Sequence, residues 1–409
     1  MMIALFAMIA FVTNLCSPMA TIVETQFKAS ELQSQIGNYA NFIAYLVMGI
    51  PSGMLIVKFG YKKTALLALV VGIIGMGLEL LSGTMESMWV YLAGAFICGF
   101  TMCMLNTVVN PLLNVLGGGG NTGNQLIQIG GAFNSAAAVA VYIIIGALIG
   151  KVTKDTAIVD AAPAMYIAMA IFVVALIVLA ATKIEEPKQE PVSMDLIKGA
   201  LSHRHFALGA LAIFLYMSVE VGTPTYMSKY LIANKSLGID ADTALLIAAV
   251  YWFAMFIGRT IGGSIGGKVS SRAMVSTVAT AAIILLAFGM FAPQDWLVKV
   301  PGVDWATLSL IWVNVPIGIT AFICVGLCTS VMWGGIFNMA VEGLGKYTAA
   351  ASGIFMTMVF GCAVMVALQA WVVDITGKNY LISYLIPLAC AAYILFYALV
   401  GSRVSKKEK

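Results

Sequence analysis

Charge is scarce in this chain. Only 10% of its 409 residues are Asp, Glu, Lys or Arg, where soluble domains carry roughly a quarter. A surface that faces water on all sides is therefore excluded. Histidine occurs twice and cysteine seven times, and no CxxC pair or neighbouring histidine turns the cysteines into a metal or disulfide framework. Cys324 and Cys328 lie one helical turn apart and read as small packing residues. There is no HExxH, Walker or zinc-ligand spacing, and the expectation is that the chain is not an enzyme and holds no metal. The basic residues form no cluster that would fit nucleic acid.

What fills the chain instead is apolar: 61% of it is hydrophobic and its mean hydropathy is +0.98. A hydrocarbon layer about 30 Å thick needs about 20 apolar helical residues. Twelve runs meet that need, at 2–24, 33–57, 64–84, 88–115, 125–150, 163–182, 205–232, 243–267, 272–292, 307–336, 347–374 and 379–401. Period-two alternation is absent from them, which leaves helices to satisfy the backbone inside lipid. The first run lacks a basic leading region and is polar at its middle, so it is expected to be a mature span and not a signal peptide. Of the 22 Lys and Arg residues, fourteen fall on the side that holds the N-terminus, seven on the other, and Arg259 lies inside a run. Both termini are expected in the cytoplasm by the positive-inside rule.

Residues 183 to 206, KIEEPKQEPVSMDLIKGALSHRHF, interrupt the pattern of short loops. Charged and twice interrupted by proline, this stretch separates six runs from six. The organisation expected is a bundle over 1–182, a cytoplasmic linker over 183–204 and a second bundle over 205–409. His203 and His205, at the end of the linker, are expected in solvent. The halves echo one another: GMLIVKFGYKK follows span 2 and GGSIGGKVSSR follows span 8, with Gly53 on Gly263, Lys58 on Lys268 and Lys62 on Arg272. Such repeats mark secondary transporters.

GMLIVKFGYKK resembles the loop signature of the major facilitator superfamily, with Val57 where an acid often stands. NTVVNPLLNVLG in span 4, AFNS in span 5, FLYMSVEVG in span 7, IGRTIGG in span 8 and IFNMAVEGLG after span 10 resemble, in order, the fucose/glucose/galactose sugar symporter group of that superfamily. The resemblance implies an all-α membrane protein of twelve transmembrane helices in two six-helix bundles. It also implies that spans 1, 4, 7 and 10 line a cavity.

Polar stripes fall on those four spans. Asn106, Asn110 and Asn114 are spaced i, i+4, i+8 and drift only about 80° around the helix. An amide without partners in hydrocarbon costs several kcal/mol, so this face meets protein, water or substrate. Asn106 is the candidate for substrate. Asn110 is a candidate for substrate or, beside Pro111, which frees the carbonyl of Thr107, for a structural role; Asn114 suits a gate or cap. Asn14, Ser17, Thr21 and Glu24 line one face of span 1; Tyr216, Glu220 and Thr223 stand on span 7; Trp333 and Asn338 stand on span 10. Asn41 and Asn38 in span 2, Gln128 and Gln125 in span 5, Asn134 of AFNS and Trp252 in span 8 are further candidates. Amides and hydroxyls interleaved with aromatics suit a sugar, whose hydroxyls need partners and whose C–H face stacks on a ring.

Three ionisable residues sit inside runs: Glu79, Glu220 and Arg259. Glu79, near the outer end of span 3, is expected to snorkel towards water, and Arg259 serves either an ion pair or the substrate. The resemblance implies coupling acids in spans 1 and 4, yet Ser17 and Asn106 stand at those positions. Glu220 is then the candidate for ion coupling, by exchanging a proton or by helping to hold Na⁺; if it only pairs with Arg259, the protein is a uniporter. The reading is a monosaccharide importer in a bacterial inner membrane, with the bilayer as its surroundings, no cofactor beyond H⁺ or Na⁺, and a monomeric state. The alternatives are a facilitative sugar uniporter and an exporter of a drug or metabolite.

Overall fold

The computed structural model describes residues 2–27, 31–149, 157–184, 186, 194–239, 241–304 and 309–404. Its helices are α1 (Met2–Phe27), α2 (Glu31–Phe59), α3 (Tyr61–Met85), α4 (Met88–Leu116), α5 (Gly120–Ile149), α6 (Ala162–Ala181), α7 (Met194–Ser202), α8 (Arg204–Met217), α9 (Thr223–Ala233), α10 (Ala241–Ile265), α11 (Ser271–Phe291), α12 (Ile317–Val341), α13 (Thr348–Thr357), α14 (Gly361–Ile375) and α15 (Leu385–Phe396). α8 and α9 are joined by a π turn, Ser218–Gly222, into one span, and α13 and α14 by a 3₁₀ turn, Met358–Phe360, into another. Among the described residues ten helices are long and apolar enough to cross a membrane. α1 and α5, of 26 and 30 residues, complete the expected twelve.

Two elements depart from the sequence reading. Residues 307–316 were expected to open span 10, but β1 (Leu297–Asp304) and β2 (Ser309–Pro316) form an antiparallel hairpin there, and α12 starts only at Ile317. In SLIWVNVP, Val313 and Val315 alternate with Trp312 and Asn314, a period of two that hydropathy averaged over a span does not register. The register pairs Val298 with Val315 and Val300 with Val313 on the covered face, while Trp312 stands 64% exposed on the other. The linker, too, contains a short helix, α7, which buries Leu196, Ile197 and Ala200.

The chain forms two compact units. The first comprises Met1–Leu113, Ala136–Ala200 and Leu344–Phe360; the second comprises Asn114–Ser135, Leu201–Gly343 and Gly361–Lys409. Within the first, α2 meets α13 at Gly53, where a Cβ would stand 2.9 Å from the carbonyl oxygen of Ala349. Within the second, α10 meets α5 at the matching Gly263, where a Cβ would stand 3.0 Å from Ile129. The repeated glycine thus does the same job in each unit: it lets a helix backbone approach its neighbour.

The repeated basic residues correspond as well. Lys62 donates to the carbonyls of Ala180 (2.9 Å) and Thr182 (2.7 Å) at the end of α6, where a cation also suits the helix dipole. Arg272 donates to the hydroxyl and carbonyl of Ser402, at 3.2 and 3.3 Å, beyond α15. Each ties the tight turn to the close of the last helix of its half. Glu186 completes the first turn by accepting from the amides of Tyr61 (2.8 Å) and Lys62 (3.0 Å) at the start of α3.

Glu79 does not snorkel. It is buried at 3% exposure in a notch of α4 made by Gly94 and Cys98, one turn apart, with the Cys98 thiol as a partner. His205, expected in solvent, is buried too, with Nε2 2.8 Å from the carbonyl of Glu342 at the end of α12.

Candidate functional site

In the second unit, polar groups gather around a buried charge. Arg259 of α10 turns its guanidinium towards α5, where Nη1 donates to Gly131 O (3.2 Å), Asn134 Oδ1 (3.2 Å) and Ser135 Oγ (2.8 Å). Nε donates to Ser330 O of α12 at 3.4 Å. Nη2 stands 3.5 Å from Glu220 Oε1, with both side chains nearly buried, at 10% and 13% exposure. A guanidinium carries five donors in a fixed fork, and this one is spread over three spans.

Glu220 lies in the π turn between α8 and α9. Pro224 follows, without an amide hydrogen to continue the ladder. The carbonyl of Val219 instead accepts the hydroxyl of Tyr251 at 3.2 Å, and the same hydroxyl lies 3.0 Å from Thr329 Oγ1. Helical spacing placed Tyr216, Glu220 and Thr223 on one face; Tyr216 and Glu220 stay together, and the wider turn carries Thr223 off that face. Tyr216 is fully buried and donates to Thr329 O at 3.2 Å, within reach of the Glu220 carboxylate. It holds Glu220 from behind and offers no open face. Trp333 packs 6.1 Å from the Tyr216 ring and is only part-buried, and Trp252 meets Tyr251 edge-on at 5.3 Å.

Other candidates in this unit are committed to protein partners. Gln128 donates to Val331 O at 3.0 Å and to Asn124 Oδ1 at 3.4 Å. Asn338 accepts from Asn114 and donates to Ser271 Oγ at 2.8 Å. The last pair ties the end of α4 to α12 and α11. Their amides hold helices together, as interhelical amides commonly do.

The first unit holds a second group of polar residues on α4 and α2. Asn106 donates to the hydroxyl of Tyr45 at 2.9 Å and keeps 8% exposure. Asn110 turns back to donate to Asn106 O at 2.8 Å. The carbonyl of Thr107, freed by Pro111, accepts Ser352 Oγ of α13 at 3.0 Å. Span 4 therefore divides its amides: Asn110 and the proline serve the helix and its packing, and Asn106 retains an open side. Asn41 is buried against Gly99, and its Oδ1 has no hydrogen-bond partner in the structure. Asn14, Ser17, Thr21, Glu24 and Asn38 have side chains outside the described residues.

Arg259 as the centre of three spans, Tyr251 and Tyr45 were not singled out beforehand for these roles. Tyr45 follows Asn41 by four residues and Arg259 follows the close-packing Gly258, signals that sequence spacing carries but does not rank.

The model of the Major Facilitator Superfamily matches residues 1–367. The chain belongs to the Major Facilitator Superfamily. It is a multi-pass membrane transporter and not an enzyme. It is 27% identical over 405 residues to a glucose/galactose transporter of Brucella abortus, covering 98% of this chain and 92% of that protein. It is 22% identical over 429 residues to the L-fucose-proton symporter of Escherichia coli, covering 98% and 92%. The crystal structure of a superfamily transporter, FucP, in the outward conformation matches its fold with a TM-score of 0.80 at 20% identity, covering 98% of this chain and 99% of that one.

Removing one partner of a buried ion pair costs about 3–5 kcal/mol, because the other charge is stranded. Arg259→Ala should therefore lower the melting temperature of the purified protein sharply, and adding Glu220→Gln should restore part of the loss. Equal melting of the single and double variants would show that the pair carries no such weight.

Proposed function

We propose that this superfamily member is a secondary active transporter that imports a monosaccharide or small related sugar by alternating access. The observation that carries the reading is the Glu220–Arg259 pair set beside Asn134 and the part-buried Trp333. A carboxylate and an amide supply partners for hydroxyls, and an indole supplies a face for the C–H side of a sugar ring. In the first unit Asn106, with its amide donor fixed by Tyr45, offers its carbonyl oxygen as an acceptor. The names of the relatives, glucose/galactose transporter and L-fucose-proton symporter, support the same substrate class. A pump for cationic drugs would be served poorly by a carboxylate already neutralised by arginine.

Coupling is assigned to Glu220, the acid nearest those groups, with H⁺ or Na⁺ as the ion. Ionisable groups within membrane spans commonly mark such pathways. The bacterial relatives support a bacterial cytoplasmic membrane, and the lysine and arginine distribution supports both termini on its cytoplasmic side. A monomer is the working state proposed.

In proteoliposomes given external labelled sugar, Glu220→Gln should abolish accumulation driven by an imposed ion gradient and leave exchange against unlabelled internal sugar measurable. Unchanged concentrative uptake would remove Glu220 from the coupling step. Asn106→Ala should weaken sugar binding by about 10- to 100-fold, the worth of one or two hydrogen bonds; wild-type affinity in that variant would return Asn106 to a purely structural role.

A further inference from the structure

The π turn that carries Glu220 has a second face. Ser218 and Thr223 are five residues apart, one repeat of the i→i+5 pattern, and so lie together on the side away from Glu220. Across from them stands Gln369 of α14, fully buried. Its amide orientation is settled by its neighbour: Ser383 donates its hydroxyl to Tyr380 O at 2.6 Å, so it can only accept from Gln369 Nε2, at 3.2 Å. Gln369 Oε1 is thereby aimed at Gly222, where a Cβ would stand 2.5 Å from it and 3.8 Å from Ser218 Oγ.

Gln369 Oε1, Thr223 Oγ1 and Ser218 Oγ are all buried, and none has a hydrogen-bond partner in the structure. Ser218 Oγ also meets the thiol of Cys390, a weak donor. Leaving one buried acceptor unsatisfied costs about 1–3 kcal/mol, and three fall around this one turn. The backbone there is irregular, held by Tyr251 on Val219 O and by Tyr384, which donates to Thr223 O at 2.8 Å. Tyr384 is itself stacked on Phe322, with 3.9 Å between ring centroids. The oxygens are thus fixed by rigid neighbours.

We propose that these oxygens form a binding site for a monovalent hard cation, sodium in the first instance, with Gln369 Oε1, Thr223 Oγ1 and Ser218 Oγ among its ligands. Neutral oxygens at an unwound stretch of a transmembrane helix are the donors such ions take in membrane transporters. A ligand set without a carboxylate does not repay the dehydration of a divalent ion. Because Glu220 belongs to the same π turn, an ion on one face bears on the geometry of the carboxylate on the other. As a binding site the oxygen cluster stands alone; as the seat of the coupling ion it rests on the transport reading above.

The test is the melting temperature of the full-length purified protein, without sugar, titrated with sodium chloride against potassium and choline chloride at constant ionic strength. Sodium should raise it saturably above both controls, since a ligand of the folded state stabilises it. Thr223→Val and Gly222→Ala, whose new methyl would crowd Gln369 Oε1, should each raise the half-effective sodium concentration by about tenfold or more, the worth of one lost ligand contact. Superimposed sodium and choline curves in the wild type would overturn the proposal. A sodium effect undiminished in both variants would place the ion elsewhere. A separate titration with hexoses in sodium and in potassium decides the coupling: sugar affinity should be higher in sodium, and equal affinities would deny the ion that role. If no sugar binds while the sodium shift persists, the sugar reading fails and the cation site stands.

Discussion

The second unit is organised by the need to keep one guanidinium satisfied in a place with little water. A buried charge is tolerated only where it is paired and hydrogen-bonded. Arg259 meets that demand by drawing Gly131, Asn134 and Ser135 of α5, Ser330 of α12 and Glu220 of the π turn around itself. Three spans are held at fixed distance as a result. The same bonds orient the amide of Asn134 and the carboxylate of Glu220, which are the groups proposed to meet the substrate.

The π turn is the counterpart of that arrangement. A regular helix would have set Tyr216, Glu220 and Thr223 on one face; the extra residue in the turn leaves Glu220 beside Arg259 and Tyr216 and takes Thr223 off that face, its carbonyl held by the hydroxyl of Tyr384. One short segment thereby presents chemistry on two sides. π turns commonly appear at functional positions of this kind, and the aromatic hydroxyls of Tyr251 and Tyr384 hold this one in place.

Much of the architecture was legible in the residues. Hydropathy located the spans because lipid forces the backbone into helices, and the repeated Gly53/Gly263 and Lys62/Arg272 positions proved to do matching work. Pro111 announced a freed carbonyl at Thr107, and Ser352 supplies the donor. The hairpin at 297–316 was hidden because its valines and tryptophans are as apolar as a span. Glu79 misled because its position near a helix end says nothing of the notch that Gly94 and Cys98 cut in a neighbouring helix. Of the amide candidates, spacing could say that Asn110, Gln128 and Asn338 face something polar. It could not say that the something is a backbone carbonyl or another side chain, since that depends on helices distant in the chain.

The central claim is that the groups ordered by Arg259 serve a neutral sugar. A thermal-shift panel on the full-length protein tests it most directly, with D-glucose, D-galactose and L-fucose set against mannitol and a lipophilic cation. The account predicts a saturable rise in melting temperature with at least one hexose and none with the cation. Stabilisation by the cation and by no sugar would contradict it.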